Sequence, residues 1–81
     1  MAEMIHEFST PVRGPDGAGY PARAYAEQRG NVWIGWLEFG ARDSTMKTAE
    51  ETSQPTRDAV AYWASGLEPI YLEGALRRAI G

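Results

Sequence analysis

Histidine occurs once in this 81-residue chain, at His6, and cysteine does not occur. Disulfides, thiol nucleophiles and thiolate metal sites are therefore excluded, and one imidazole cannot build a histidine-based zinc site within a single chain. As a general base, His6 needs a nucleophile and an orienting partner within hydrogen-bond reach. Ser9 and Glu7 are close to it in sequence only, so His6 reads as an ordinary solvated side chain near a terminus. Glu38, Glu50 and Glu51 offer the carboxyls that sugar hydrolysis holds across a cleft. Adjacent strand residues point to opposite faces, however, so Glu50 and Glu51 cannot form that pair on a regular strand. The glycines at 14, 17 and 19 invite a phosphate-loop reading. Such loops join a strand to a helix N-terminus, whereas this one joins strand to strand and lacks a following Gly-Lys-Ser or Gly-Lys-Thr. It reads as a turn, with Pro15 and Asp16 at its centre and Gly17 closing it. No constellation brings a nucleophile, a base and a charge stabiliser together. The expectation is a protein that is not an enzyme, with no catalytic residue, no cofactor and no metal.

One aromatic pair resists dismissal. Tyr25 and Trp36, flanked by Ile34 and Val32 and ringed by Arg23, Arg29, Glu27, Glu38 and Lys47, have the composition of an interface centre with a charged rim. The alternative is a solvated sheet face whose aromatics stiffen the strands; cross-strand pairs of this kind are worth about 0.2–1 kcal/mol each.

The elements that place this pair can be written out from alternation and turn chemistry. Ile5 to Val12 alternates as a first strand, which Pro11 consigns to an edge. Tyr20 to Arg29 and Asn31 to Gly40 form the second and third strands about a two-residue Gly30-Asn31 turn. In that register Arg29 faces Val32, Glu27 faces Ile34, Tyr25 faces Trp36 and Arg23 faces Glu38. The opposite side pairs Gln28 with Trp33, Ala26 with Gly35, Ala24 with Leu37 and Ala22 with Phe39. Small residues opposite large ones make a surface that a helix can approach, so this side is assigned to the core; a one-residue slip would invert the assignment. Thr45 to Glu51 is expected to return as a fourth strand, with Met46 beside Phe39, Lys47 beside Glu38 and Ala49 beside Trp36.

Thr52-Ser53-Gln54-Pro55 is expected to open a first helix, with Pro55 at its first position, Asp58 near its positive end and Ala59, Val60, Trp63 and Leu67 as its apolar stripe. Ser65-Gly66 ends it. Glu68-Pro69 opens a second helix, where Leu72, Leu76, Ala79 and Ile80 share a face and Glu73 and Arg77 sit at ion-pair spacing. The predicted architecture is a single α+β domain, ββββαα: a four-stranded antiparallel meander over residues 1–51 followed by two helices over 52–81, packed on one face. The alternative curls the same strands into a partial barrel plugged at one end by the helices, with Gly35 and Gly40 permitting the curl.

Composition narrows the function classes. The formal charge is −3, and Lys47 is the only lysine among eight cations. Arginine in place of lysine, with abundant Ala and Gly, fits a GC-rich bacterial or phage genome. An acidic balance disfavours nucleic acid as the ligand. The first residues lack the basic start and apolar stretch of a secretory signal, and no segment approaches the roughly 20 apolar residues of a membrane span, so a cytoplasmic location is the expectation. The reading reached is a small non-catalytic protein-interaction module, a regulator or inhibitor, binding a protein or a second copy of itself through the aromatic sheet face or a strand edge. The partner-binding residues are Tyr25, Trp36, Arg23, Ile34, Glu38, Arg29 and Lys47. The alternative is single-stranded nucleic-acid binding, with bases stacked on Trp36 and Tyr25.

Overall fold

A computed structural model describes the whole chain from Met1 to Gly81. The domain is α+β: an open antiparallel sheet followed by two helices that bury their apolar stripes on one of its faces. Strands β1 (Glu3–Glu7), β4 (Ala22–Arg29), β5 (Val32–Gly40) and β6 (Thr45–Lys47) lie in the order β1-β4-β5-β6, and β7 (Thr52–Gln54) pairs with the other end of β5. A separate ribbon joins β2 (Val12–Arg13) to β3 (Gly19–Tyr20). Helices α1 (Arg57–Ser65) and α2 (Pro69–Ile80) complete the chain. The sheet does not close, which disposes of the barrel alternative.

The β4–β5 hairpin has the register expected from its sequence, from Arg29 opposite Val32 to Ala22 opposite Phe39. Gly30 supplies the positive φ, +61°, that a two-residue turn matching strand twist requires at its first central position. The helix-facing side is built from size contrast. Ala22, Ala24 and Ala26 are buried in β4 beside buried Leu37 and Phe39 in β5, and Val60, Ala64, Leu72, Ala75 and Leu76 come from the helices. Gly35 marks the closest approach: a Cβ there would stand 2.6 Å from Val60 Cγ1 and 3.0 Å from Thr52 Cγ2.

The expected strand boundaries need correction at prolines and at a bulge. The first strand runs over Glu3–Glu7 rather than Ile5–Val12, with a register shift between Met4 and His6. After Phe8, whose N–H bonds the Ala22 carbonyl at 3.1 Å, the chain leaves the sheet, and Val12 joins the small ribbon. Pro21, which has no N–H to donate, splits the expected second strand into β3 and β4.

The expected fourth strand is likewise split. Between Phe39 opposite Met46 and Gly35 opposite Thr52, β5 advances four residues while its neighbour advances six. The excess falls at residues 48–51. Thr48 holds one side of the excursion through its N–H to the Leu37 carbonyl and its hydroxyl from the Leu37 N–H, and Glu51 N–H to the Gly35 carbonyl holds the other. Ala49 therefore does not sit in a ladder beside Trp36, and Thr52–Gln54 extends the sheet instead of opening a helix. The N-cap of α1 is Thr56, whose hydroxyl accepts from Ala59 N–H at 3.1 Å, and Pro55 precedes the helix. The second helix begins as expected, with Glu68 at the cap and Pro69 at its first position. Ile80 is 45% exposed rather than part of the buried stripe.

Candidate protein-interaction face

The side of the sheet away from the helices carries the residues singled out from the sequence. Tyr25 and Trp36 lie opposite each other on β4 and β5, their rings nearly parallel at 14° with centroids 6.1 Å apart. The indole N–H of Trp36 donates to Glu38 Oε2 at 3.0 Å, two residues along the same face. One end of the tryptophan is thus held by a carboxylate and one side by a tyrosine, which restrains the rotamers of the pair.

The charged rim is assembled differently from the simple cross-strand row. Arg23, Glu38 and Lys47 are neighbours by register, but Arg23 bonds Glu7 of β1 at 3.4 Å, and Arg29 bonds Glu27 at 3.5 Å. Glu38 is engaged by the indole. Both ion pairs are exposed and contribute little to stability.

Ile34 is the least expected member. It lies on the outer face opposite Glu27 and Ser53, yet is only 4% exposed. It sits in a concavity of about 380 Å³ whose walls include Trp36, Glu27, Arg29, Glu38, Lys47 and the Ala49–Glu50 excursion, with Ala2 at the N-terminal side. The bulge therefore gives the face relief that a regular fourth strand would have flattened. Met4, opposite Tyr25 and 48% exposed, extends the apolar strip across β1. The structure thus brings together all seven expected residues, Arg23, Tyr25, Arg29, Ile34, Trp36, Glu38 and Lys47, on one face. Sequence reasoning missed Met4, Glu7 and Glu50, because their placement depends on the β1 register and on the bulge.

The other candidate groups disperse into structural roles. Glu51 turns away from Glu50: its carboxylate, 9% exposed, accepts from the Tyr71 hydroxyl and from Arg78 Nη2 of α2, the latter at 2.6 Å. Arg78 also lies over the Tyr71 ring, 5.7 Å from its centroid, and Tyr71 meets Trp63 edge-on. Burial, with the Glu51 hydrogen bond second, holds the Tyr71 hydroxyl above its ordinary pKa. This cluster ties the excursion to α2, as Arg57 bonded to Glu3 at 2.7 Å ties α1 to β1.

His6 packs edge-on against Phe8, with ring centroids 4.6 Å apart. Asp16 closes its loop by accepting from the Tyr20 hydroxyl at 2.8 Å and Ala18 N–H at 3.0 Å, and these two bonds lower its pKa in that order of importance. Gly17 takes φ +84° in the same turn. No group of three or more His, Cys, Asp or Glu side chains is arranged to hold a metal ion. No helix is long and apolar enough to cross a membrane. Compared with models of protein families, with curated proteins and with solved structures, the chain matches none.

Proposed function

We propose that this chain is a non-catalytic protein-interaction module that docks a protein partner on its outer sheet face, in the manner of a small bacterial or phage regulator or inhibitor acting in the cytoplasm. The observation that carries the reading is the restrained Tyr25–Trp36 pair beside the Ile34 concavity, rimmed by both signs of charge. Apolar anchors in a desolvated centre surrounded by polar groups are the arrangement that concentrates binding energy at protein interfaces.

Two further features favour a protein over single-stranded nucleic acid. The two rings lie side by side as an offset, nearly parallel pair with centroids 6.1 Å apart, and the indole N–H is already engaged by Glu38, an acceptor carboxylate that repels phosphate. Arg23, Arg29 and Lys47 also share their face with Glu7, Glu27, Glu38 and Glu50, so carboxylates outnumber the cations that would track phosphates. The face is favoured over an edge because both edges are blunted, β1 by its bulge and the β6–β7 side by its break.

The test uses immobilised chain in three forms, wild type, Trp36→Ala and Tyr62→Ala, the last altering a residue 83% exposed on α1. Proteins captured from a bacterial lysate by wild type and Tyr62→Ala but not by a folded Trp36→Ala are the expected result. Equal capture by all three would show that the outer face does not bind the partner. Salt-sensitive binding of a short single-stranded oligonucleotide that depends on Trp36 would replace the protein reading with the nucleic-acid one.

A further inference from the structure

The side of α2 away from the sheet carries a pattern that the fold leaves unpaired, with Glu73 partly buried at the rim of the groove it shares with Phe8–Arg13. Ile70, Glu73, Arg77 and Ile80 recur at intervals of three, four and three residues, which places them in one stripe along the helix. Ile70 is 79% exposed, a large apolar side chain with no cover. Glu73 and Arg77 have helical ion-pair spacing, yet no ion pair joins them within 4.0 Å, nor does either bond another side chain. Arg78, by contrast, is committed to Glu51.

The stripe is its own complement. Laid antiparallel on a second copy, with the two-fold axis crossing the stripe midway between Glu73 and Arg77, Ile70 meets the partner's Ile80 and Glu73 meets the partner's Arg77, and each contact occurs twice. A parallel, in-register pairing would set Glu73 against Glu73 and Arg77 against Arg77, so the charges select the antiparallel arrangement.

Gly74 is a second, independent pointer. A glycine in a helix interior costs about 1 kcal/mol relative to alanine, and nothing inside the chain requires one here. A Cβ at Gly74 would meet only Arg78 Nη1, at an ordinary 3.7 Å. Gly74 adjoins the stripe next to the two-fold axis, where a bare backbone lets another helix approach closely.

We infer that α2 is a self-association surface, and that the partner it fits is a second copy of this chain, docked antiparallel through Ile70, Glu73, Arg77 and Ile80. This surface is distinct from the outer sheet face and leaves that face free. The seam spans three helical turns, so the dimer is small and weak and forms at high protein concentration.

The experiment is light scattering of the full chain over a concentration series, for wild type, Glu73→Arg, Arg77→Glu and an equimolar mixture of the two variants. Wild type is expected to move from the mass of one chain toward that of two. Each variant alone, which sets like charges together, stays at one. The mixture, which restores opposite charges at every contact, recovers the wild-type shift. A wild type that stays monomeric into the millimolar range overturns the inference, and so do single variants that dimerise as wild type does. Should either charge variant fail to fold, single cysteines decide the matter in this cysteine-free chain. Under mild oxidation an equimolar mixture of Ile70→Cys and Ile80→Cys, the two positions that meet across the seam, is expected to give a disulfide-linked dimer, while Ala49→Cys on the sheet face is not. The reverse pattern, or no linkage from either, contradicts the antiparallel α2 pairing.

Discussion

The two faces of the sheet use aromatic and small residues in opposite ways. On the helix side, β4 contributes only alanines to the core, and the volume comes from Leu37 and Phe39 and from the helices. On the outer side the same two strands carry Tyr25 and Trp36, half-exposed and fixed by each other and by Glu38. The first face is shaped so that a helix can approach within van der Waals contact of the backbone at Gly35. The second spends its largest side chains where no part of this chain covers them fully. A fold of this size must bury most of what it can, and it is on these two partly exposed aromatics that the proposed partner-binding role rests.

Truncating each face in turn separates their roles. Phe39, fully buried, is expected to cost about 3–5 kcal/mol as Phe39→Ala. That approaches the whole stability of a small domain, so loss of cooperative urea unfolding followed by circular dichroism is the expected outcome. A well-folded Phe39→Ala would mean that the helix side is not the core.

Gly35→Ala comes next, at roughly 1–3 kcal/mol, because the added methyl must displace Val60, a buried and β-branched neighbour with little freedom to yield. The same substitution at Gly74 meets no such wall and should leave monomer stability unchanged or slightly higher.

Tyr71→Phe removes a hydrogen bond to a carboxylate and should cost about 1.5 kcal/mol at neutral pH. The pH dependence has a definite sign. Because the folded pKa of Tyr71 is raised, its contribution is fully present below the unfolded value near 10 and is lost as pH rises through the folded value. The gap between wild type and Tyr71→Phe in thermal unfolding should therefore narrow above about pH 10. A gap that is constant from neutral to strongly alkaline pH would mean that the hydroxyl is not held by Glu51 in solution.

Among the destabilising substitutions Trp36→Ala is expected to have the smallest effect on folding, about 1 kcal/mol from the lost cross-strand pair. A cost as large as that of Phe39→Ala would show that the two faces do the same work.

The hairpin that organises both faces was legible residue by residue, since a two-residue turn at Gly30-Asn31 fixes register and the alternation fixes which side is small. The helix-facing side and the seven outer-face residues followed from that one reading. What lay beyond it depended on contacts distant in sequence. The 48–51 excursion is set by Thr48 bonding Leu37 and by Glu51 reaching Tyr71 and Arg78 on α2. A local pattern of polar residues carries no trace of those partners. The burial of Ile34 follows from the same excursion, which rises beside it. Thr56 was a legible cap, a threonine directly before the helix, but Pro55 offered a competing first helical position two residues before Arg57. Pro21 could have signalled the split of the second strand, because a proline cannot donate to an interior ladder.

In the proposed role the outer face, and Trp36 in particular, receives the partner. The most direct measurement is a nuclear magnetic resonance titration of ¹⁵N-labelled chain with the captured protein, following the indole N–H signals of Trp33, Trp36 and Trp63. Trp36, whose N–H bonds Glu38 within the concavity, is expected to shift or broaden, while Trp63, packed against Tyr71 on the far side of the sheet, keeps its position. A partner that moves the Trp63 signal and leaves Trp36 unchanged would place the binding surface on the helix side instead.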